Sequence, residues 1–282
     1  MFDKTYEAGA VSIRVRCEEE IRPSDFFPLF RADTAAADYT VTVTRGPLPP
    51  KTGKPVFETA RRSRYTDGET VWDYVSYADA ARLCHVPYAR VARLGNALDL
   101  TVDYPRQFWE RMIFDALNVQ DLFLEKNAPI VHAALADTRY GGLLFAGPKG
   151  AGKSTQAELW QERTGARVLN GDRASLVRAE GVYYARGVPF CGSSRICVND
   201  GAPVRCVVFP EKGKDNTILR LSAFDAFKRL IGCISYTRCD AALSAAALRA
   251  AENAAAGIPC YLFRCTKDYR AVDALAQALD DR

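Results

Sequence analysis

Short runs that alternate apolar and polar residues fill the first 104 residues of the chain, as half-buried β-strands do. The predicted strands are residues 11–17, 39–45, 56–65, 70–77, 81–87 and 98–104. Asp67 and Gly68 stand between two of these runs, a pattern typical of a tight β-hairpin. The pattern predicts a meander of antiparallel strands around an aromatic core.

The pattern then changes to a helical one. Phe108, Met112 and Ala116 recur at every fourth position, and Pro105 suits the first turn of a helix. We therefore predict one helix from Pro105 to about residue 126. It closes an N-terminal β-rich domain over residues 1–126, and residues 127–282 form the second domain.

Strands and helices alternate in this second domain. Strands are predicted at 128–135, 142–146, 165–172, 175–177, 202–209 and 259–265, and helices at 222–232, 239–256 and 268–279, with a further helix that starts over residues 155–160. The first two strands are joined by a short turn over residues 138–142, which predicts a hairpin. Ser222 is the expected N-cap of one helix. The alternation predicts an α/β fold.

A glycine-rich motif follows that hairpin. Residues 147–154 read G-P-K-G-A-G-K-S and fit the phosphate-binding pattern G-x-x-x-x-G-K-[ST], between an apolar strand and a helix. The predicted nucleotide-binding residues are Gly147, Pro148, Lys149, Gly150, Ala151, Gly152, Lys153, Ser154 and Thr155. Backbone N–H groups of such a loop face a phosphate chain. Lys153 is expected at the β- and γ-phosphates of ATP or ADP, and Ser154 at Mg²⁺.

Two further residues are candidates for chemistry. Asp172 closes a short strand soon after the loop helix, where an acid commonly supplies the second contact to Mg²⁺. His132 lies on the hairpin that leads into the loop. It is either an ordinary core histidine or a group near the nucleotide.

Composition narrows the function classes. The chain has 38 basic and 34 acidic residues that are interspersed, so we expect no nucleic-acid partner. Nine cysteines without a two-residue gap indicate reduced, mostly buried thiols rather than a zinc site. The first residues lack the pattern of a secretory signal, and no apolar run reaches the roughly 18 residues of a membrane span. A cytoplasmic protein with no membrane span is expected.

His132, residues 147–154 and the strand ending in Asp172 resemble the catalytic domain of HPr kinase/phosphorylase, which is related to phosphoenolpyruvate carboxykinase. The resemblance covers about residues 128–282. Residues 168–174 and 186–193 resemble a divergent branch of that family, often found beside peptide-modification genes. The resemblance implies a phosphate-loop kinase domain that uses ATP and Mg²⁺. It also implies phosphoryl transfer to a serine-type hydroxyl of a protein, peptide or small acceptor, with Ser154 and Asp172 as metal ligands.

The chain departs from the family in two places. HPr kinases carry two adjacent acids where this chain has Gly171 and Asp172, and the missing first acid would be the base toward the acceptor hydroxyl. Residues 1–104 do not resemble the N-terminal domain of HPr kinase. A nucleotide-binding sensor or peptide carrier with little transfer activity is therefore the second hypothesis. The acceptor and any homo-oligomer are left open.

The missing acid leads to one more expectation. With Lys153 and Asp172, His132 is predicted to act in catalysis, partly replacing the acid absent at Gly171. His132→Ala is predicted to reduce turnover, and Gly171→Asp to restore activity in that background if the backbone tolerates a side chain there.

Overall fold

The computed structural model describes residues 1–34, 36–79, 84–104 and 108–281. Within them the protein is a mixed α/β structure with two large sheets and six helices. It divides into two compact units, one of Met1–Glu7 with Val11–Val119 and one of Ala8–Ala10 with Gln120–Arg282. The predicted helix start at Pro105 and part of the predicted strand 81–87 lie outside the described residues.

One sheet belongs to the first unit. Its strands are β1 (Phe2–Ala8), β2 (Val11–Cys17), β3 (Arg31–Ala32), β4 (Tyr39–Arg45), β5 (Lys54–Glu58), β6 (Arg62–Thr66), β7 (Val71–Asp79), β8 (Cys84–Leu94) and β9 (Ala97–Val102). They lie in the order β3-β1-β2-β4-β9-β8-β7-β6-β5. The hairpin predicted at Asp67 and Gly68 is confirmed, since it joins the antiparallel strands β6 and β7.

The prediction of an antiparallel meander holds only for β5 to β9. β4 runs parallel to both of its neighbours, β2 and β9. Parallel neighbours need a long connection, and the chain supplies one on each side of β4. Alternation of apolar residues shows which face of a strand is buried but not which strand lies beside it, so the sequence pattern missed this arrangement.

The single predicted helix up to residue 126 is wrong. Two helices are present, α1 (Glu110–Leu117) and α2 (Val119–Glu125). Asn118 between them has a φ of 54°, the left-handed conformation that ends many helices. Asparagine tolerates this conformation better than most residues, so the chain can break the helix at Asn118.

The second sheet belongs to the second unit. Its strands are β10 (Ile130–Val131), β11 (Ala133–Thr138), β12 (Gly141–Ala146), β13 (Arg167–Asn170), β14 (Ala174–Ala179), β15 (Val182–Gly187), β16 (Gly201–Lys212), β17 (Thr217–Arg220) and β18 (Cys260–Cys265). The order is β10-β14-β15-β16-β12-β11-β13, with β18 beside β16 and β17 beside β18. The helices are α3 (Lys153–Thr164), α4 (Ala223–Cys233), α5 (Ala241–Gly257) and α6 (Tyr269–Asp280).

Both faces of this sheet are covered by helices. Leu144 and Ala146 of β12 pack into a cluster with α4 and α5, whereas Leu143 and Phe145 pack into a second cluster with α3 and α6. A strand buried on both faces is apolar throughout, as β12 is. The predicted hairpin of β11 and β12 is confirmed. The cap of α4 is confirmed too, because Ser222 Oγ accepts a hydrogen bond from Asp225 N at 3.1 Å.

Strands β12, β16 and β18 are parallel to one another, so their carboxyl ends meet at one edge of the sheet. Ligands of α/β proteins commonly bind at such an edge. The loop after β12 lies there. None of the described helices is long and apolar enough to cross a membrane.

Candidate functional site

The loop between β12 and α3 needs glycine at several positions. Gly150 has a φ of 83° and Gly152 a φ of 104°, conformations that a residue with a Cβ rarely adopts. Gly152 is also the N-cap of α3, and no side chain caps the helix there. The first N–H groups of α3 thus remain without a side-chain acceptor, the arrangement that binds anions at helix N-termini.

Lys153 begins α3 and is only 7% exposed. Its Nζ donates to the carbonyl oxygen of Pro148 at 3.1 Å, and it forms no ion pair with a described residue. Burial lowers the pKa of Lys153, while the charge of Asp172 acts in the opposite direction. An ammonium group held in this way lacks a close anion, which a phosphate would supply.

Asp172 is oriented by a residue that the sequence analysis missed. Asn170 ends β13 and is fully buried, and its Oδ1 accepts hydrogen bonds from the N–H groups of Asp172 and Arg173, both at 2.9 Å. Its Nδ2 donates to Val188 O at 2.8 Å. Asparagine at the end of a buried strand often makes such a turn, so the signal was present in the sequence.

His132 lies beside Asp172. It stands between β10 and β11 in the chain, and its backbone N–H donates to Cys233 O at 2.8 Å. Its Nε2 is 3.1 Å from Asp172 Oδ1. This hydrogen bond is the largest cause that holds the pKa of Asp172 below its usual range, and Arg173 and Lys153 add to it. Asp172 is therefore an anion at neutral pH.

The ionised state of Asp172 determines the role of the histidine nitrogen that faces it. A carboxylate can only accept hydrogen bonds, so Nε2 of His132 carries the hydrogen. The lone pair of a neutral ring then belongs to Nδ1, which does not face Asp172. His132 is placed to hold the carboxylate in position, as the outer partners of metal ligands do.

Ser154 lies next to the same segment. Its Oγ donates to Gly171 O at 3.1 Å, so the two predicted metal ligands, Ser154 and Asp172, are brought together. Within the described ranges no group of three or more His, Cys, Asp or Glu side chains could hold a metal ion. A hard cation bound here would complete its shell with phosphate oxygens and water, as Mg²⁺ usually does.

Two cavities flank the loop. One, of about 340 Å³, is lined by Thr155 and the start of α3 together with Lys212 and Lys267. The other, of about 570 Å³, contains Pro148 and Lys149. It is also lined by Phe209, Arg229 and Cys233. Each cavity lies beside one half of the loop, so a ligand on the loop would have space on both sides.

The condition set for Gly171→Asp, that a side chain is tolerated at this position, is not met. A Cβ on Gly171 would overlap both Oγ and Cβ of Ser194. Ser194 is itself held in place, since its Oγ donates to Cys191 O at 2.7 Å. The space beside Gly171 is therefore filled by another residue of the chain, which only the three-dimensional structure reveals.

We expect Gly171→Asp to destabilise the fold by about 1–3 kcal/mol, the usual cost of overpacking. Adding Ser194→Gly should recover much of that loss, because it removes the overlapping atoms. Urea unfolding of both single variants and the double variant measures the coupling. Gly46→Asp is the matched control, since a Cβ there meets nothing within 4 Å. Equal destabilisation by the single and double variants would contradict this packing.

Comparison with known proteins finds a distant structural similarity. No protein-family model and no curated protein matches the sequence. Among solved structures, the Hpr(Ser) kinase/phosphatase from Coxiella burnetii is similar at 13% sequence identity. The match covers 53% of this chain and 94% of that chain, with a TM-score of 0.33. So distant a likeness assigns no activity, and the function has to follow from the geometry of the site.

Proposed function

We propose that this protein is an ATP- and Mg²⁺-dependent phosphotransferase that acts on a hydroxyl group of a protein, peptide or small acceptor. The observation that supports it is the meeting of Lys153, Ser154 and Asp172 beside the glycine loop, with Asp172 held by His132. A buried cation, a hydroxyl and an ionised carboxylate at one loop are what a metal-bound phosphate chain requires.

Lys153 and the loop would bind the phosphates. The Nζ atom now donates to Pro148 O, and a phosphate oxygen would be a stronger, charged acceptor for the same group. The N–H groups at the start of α3 face the same negative charge. These contacts would position the γ-phosphate and stabilise the charge that spreads over its oxygens during transfer.

Ser154 Oγ and the carboxylate of Asp172 would hold the metal ion. Bound Mg²⁺ neutralises phosphate charge and orients the β- and γ-phosphates. Asp172 Oδ2 forms an ion pair with Arg173 Nε over a longer 3.4 Å, and a cation bound at this oxygen would take the place of that contact. His132 keeps Oδ1 engaged and so determines which oxygen turns to the metal.

A sensor or carrier with little phosphotransfer is the second candidate. Ser194 fills the space beside Gly171, so no carboxylate side chain can stand there to take the proton of an acceptor. A general base contributes about 10²- to 10⁴-fold to the rate, so its absence slows transfer without abolishing it. Nucleotide binding without measurable turnover would favour this candidate.

Calorimetric titration with MgADP and with a non-hydrolysable MgATP analogue tests the proposal. Both should bind and raise the melting temperature. At a ligand concentration of 100 times the Kd, the free energy of unfolding should increase by about 2.7 kcal/mol. Hydrolysis or transfer of labelled ATP then separates the phosphotransferase from the sensor. A wild-type chain that binds neither nucleotide would rule out both.

A further inference from the structure

The segment between β15 and β16 folds back over the turn that carries Asp172. Val198 N donates to Leu169 O at 2.8 Å, and Gly171 N donates to Ile196 O at 3.3 Å. Asn170 Nδ2 reaches Phe190 O at 3.3 Å. These bonds join the segment to β13 and the turn after it, so the side chains of residues 190–196 have a defined place beside Asp172.

Ser194 stands at the centre of that contact. Because a Cβ on Gly171 would overlap its Oγ, the hydroxyl lies directly against Gly171 Cα. The carbonyl oxygen of the same Gly171 accepts the hydrogen bond of Ser154 Oγ. Gly192, two residues before Ser194, is so close to Asp172 that a Cβ there would lie 2.8 Å from the carboxyl carbon. The Ser194 hydroxyl thus lies against Gly171, the residue that is bonded to Ser154 and that precedes Asp172 in the chain.

The Ser194 hydroxyl is free to act as a nucleophile. Its hydrogen is donated to Cys191 O at 2.7 Å, and Ile196 N donates to the oxygen over a long 3.4 Å. A hydroxyl oxygen has two lone pairs, so one of them has no partner among the described residues. The side chain is neither fully buried nor fully exposed, whereas the neighbouring Ser193 is exposed.

We propose that Ser194 is an internal phosphoryl acceptor, a modification site that depends on the proposed phosphotransferase activity. A bond forms between Ser194 Oγ and the γ-phosphorus of ATP, and the bond from that phosphorus to the β–γ bridging oxygen breaks. ADP leaves with the bonding electron pair, and the serine proton is released to water. The loose transition state of phosphoryl transfer allows this without a carboxylate base.

Phosphorylation of Ser194 would hinder any further phosphoryl transfer within the same chain. A phosphoserine carries about −1.5 to −2 charge at neutral pH and would stand beside the Asp172 carboxylate. We therefore expect at most one phosphate per chain, and a modified chain that binds MgATP more weakly.

The test uses the full chain, treated first with a phosphatase and then freed of it. Incubation with labelled MgATP followed by phosphopeptide mapping should place the label on Ser194 of the wild type. Labelling within one chain is first order, so the fraction of chains labelled per unit time should not change with protein concentration. Ser194→Ala should lose the label, Ser193→Ala should keep it, and Lys153→Ala should show none.

The outcomes separate this inference from the proposed function. Label on Ser193 alone, or no label although the wild type hydrolyses MgATP, would overturn the role of Ser194 and leave the phosphotransferase standing. A wild type that binds MgATP analogues but neither hydrolyses nor transfers phosphate would overturn both. Mapping on the wild type needs no variant to fold, so a poorly folded Ser194→Ala chain would not obscure the result.

Discussion

Substitution of Lys153 by alanine should raise the Kd for MgADP by on the order of 30-fold or more. Loss of one partner of a desolvated charge pair typically costs about 2–5 kcal/mol of binding free energy. Lys153 is buried, and within the part of the chain that the structure describes its Nζ donates only to the Pro148 carbonyl, so a bound phosphate would be its main charged partner. Isothermal titration calorimetry with MgADP measures the change.

In contrast to its nucleotide affinity, the stability of the ligand-free Lys153→Ala variant should not fall. A buried ammonium without a close anion costs free energy, so its removal should leave the melting temperature of the free protein unchanged or slightly raised. Lys149→Ala is the matched control, because this neighbouring side chain is exposed. We expect a much smaller change in Kd there. Equal affinities of wild type and Lys153→Ala would show that the loop does not bind phosphate through this lysine.

Asp172→Asn should lower Mg²⁺-dependent turnover by about 10²- to 10³-fold. Charge neutralisation by a metal contributes several kcal/mol to such reactions, and each 1.36 kcal/mol corresponds to a factor of ten. The pKa of Asp172 is held low, so at neutral pH the substitution removes a full negative charge. Asparagine keeps an oxygen that can accept from His132 Nε2, so the local packing should persist. Turnover against Mg²⁺ concentration measures the effect.

Substitutions of His132 test whether the carboxylate is the reason for the loss. His132→Ala should reduce turnover less than Asp172→Asn, by roughly 10- to 100-fold, the usual effect of losing an outer partner of a metal ligand. His132→Gln, which keeps an N–H donor, should recover part of that loss. Nucleotide affinity in the absence of metal should change little in all three variants. Undiminished Mg²⁺-dependent turnover in Asp172→Asn would show that another residue binds the metal.

Local features of this chain follow directly from its sequence. The glycine motif, the hairpin of β11 and β12 and the Ser222 cap each depend on residues a few positions apart, and the structure shows the predicted strand, loop and helix there. Such features are determined by backbone conformation and by hydrogen bonds between near neighbours. Strand alternation likewise depends on successive residues, so most of the strands could be predicted.

The site itself is decided by contacts between distant parts of the chain. His132 and Asp172 are 40 residues apart, and the pairing of β11 with β13 brings their side chains to 3.1 Å. Ser194 meets Gly171 because the segment after β15 folds back, and β4 has parallel neighbours because of its long connections. Pairing of distant segments depends on how whole faces bury apolar surface, and a pattern of neighbouring residues does not contain that information.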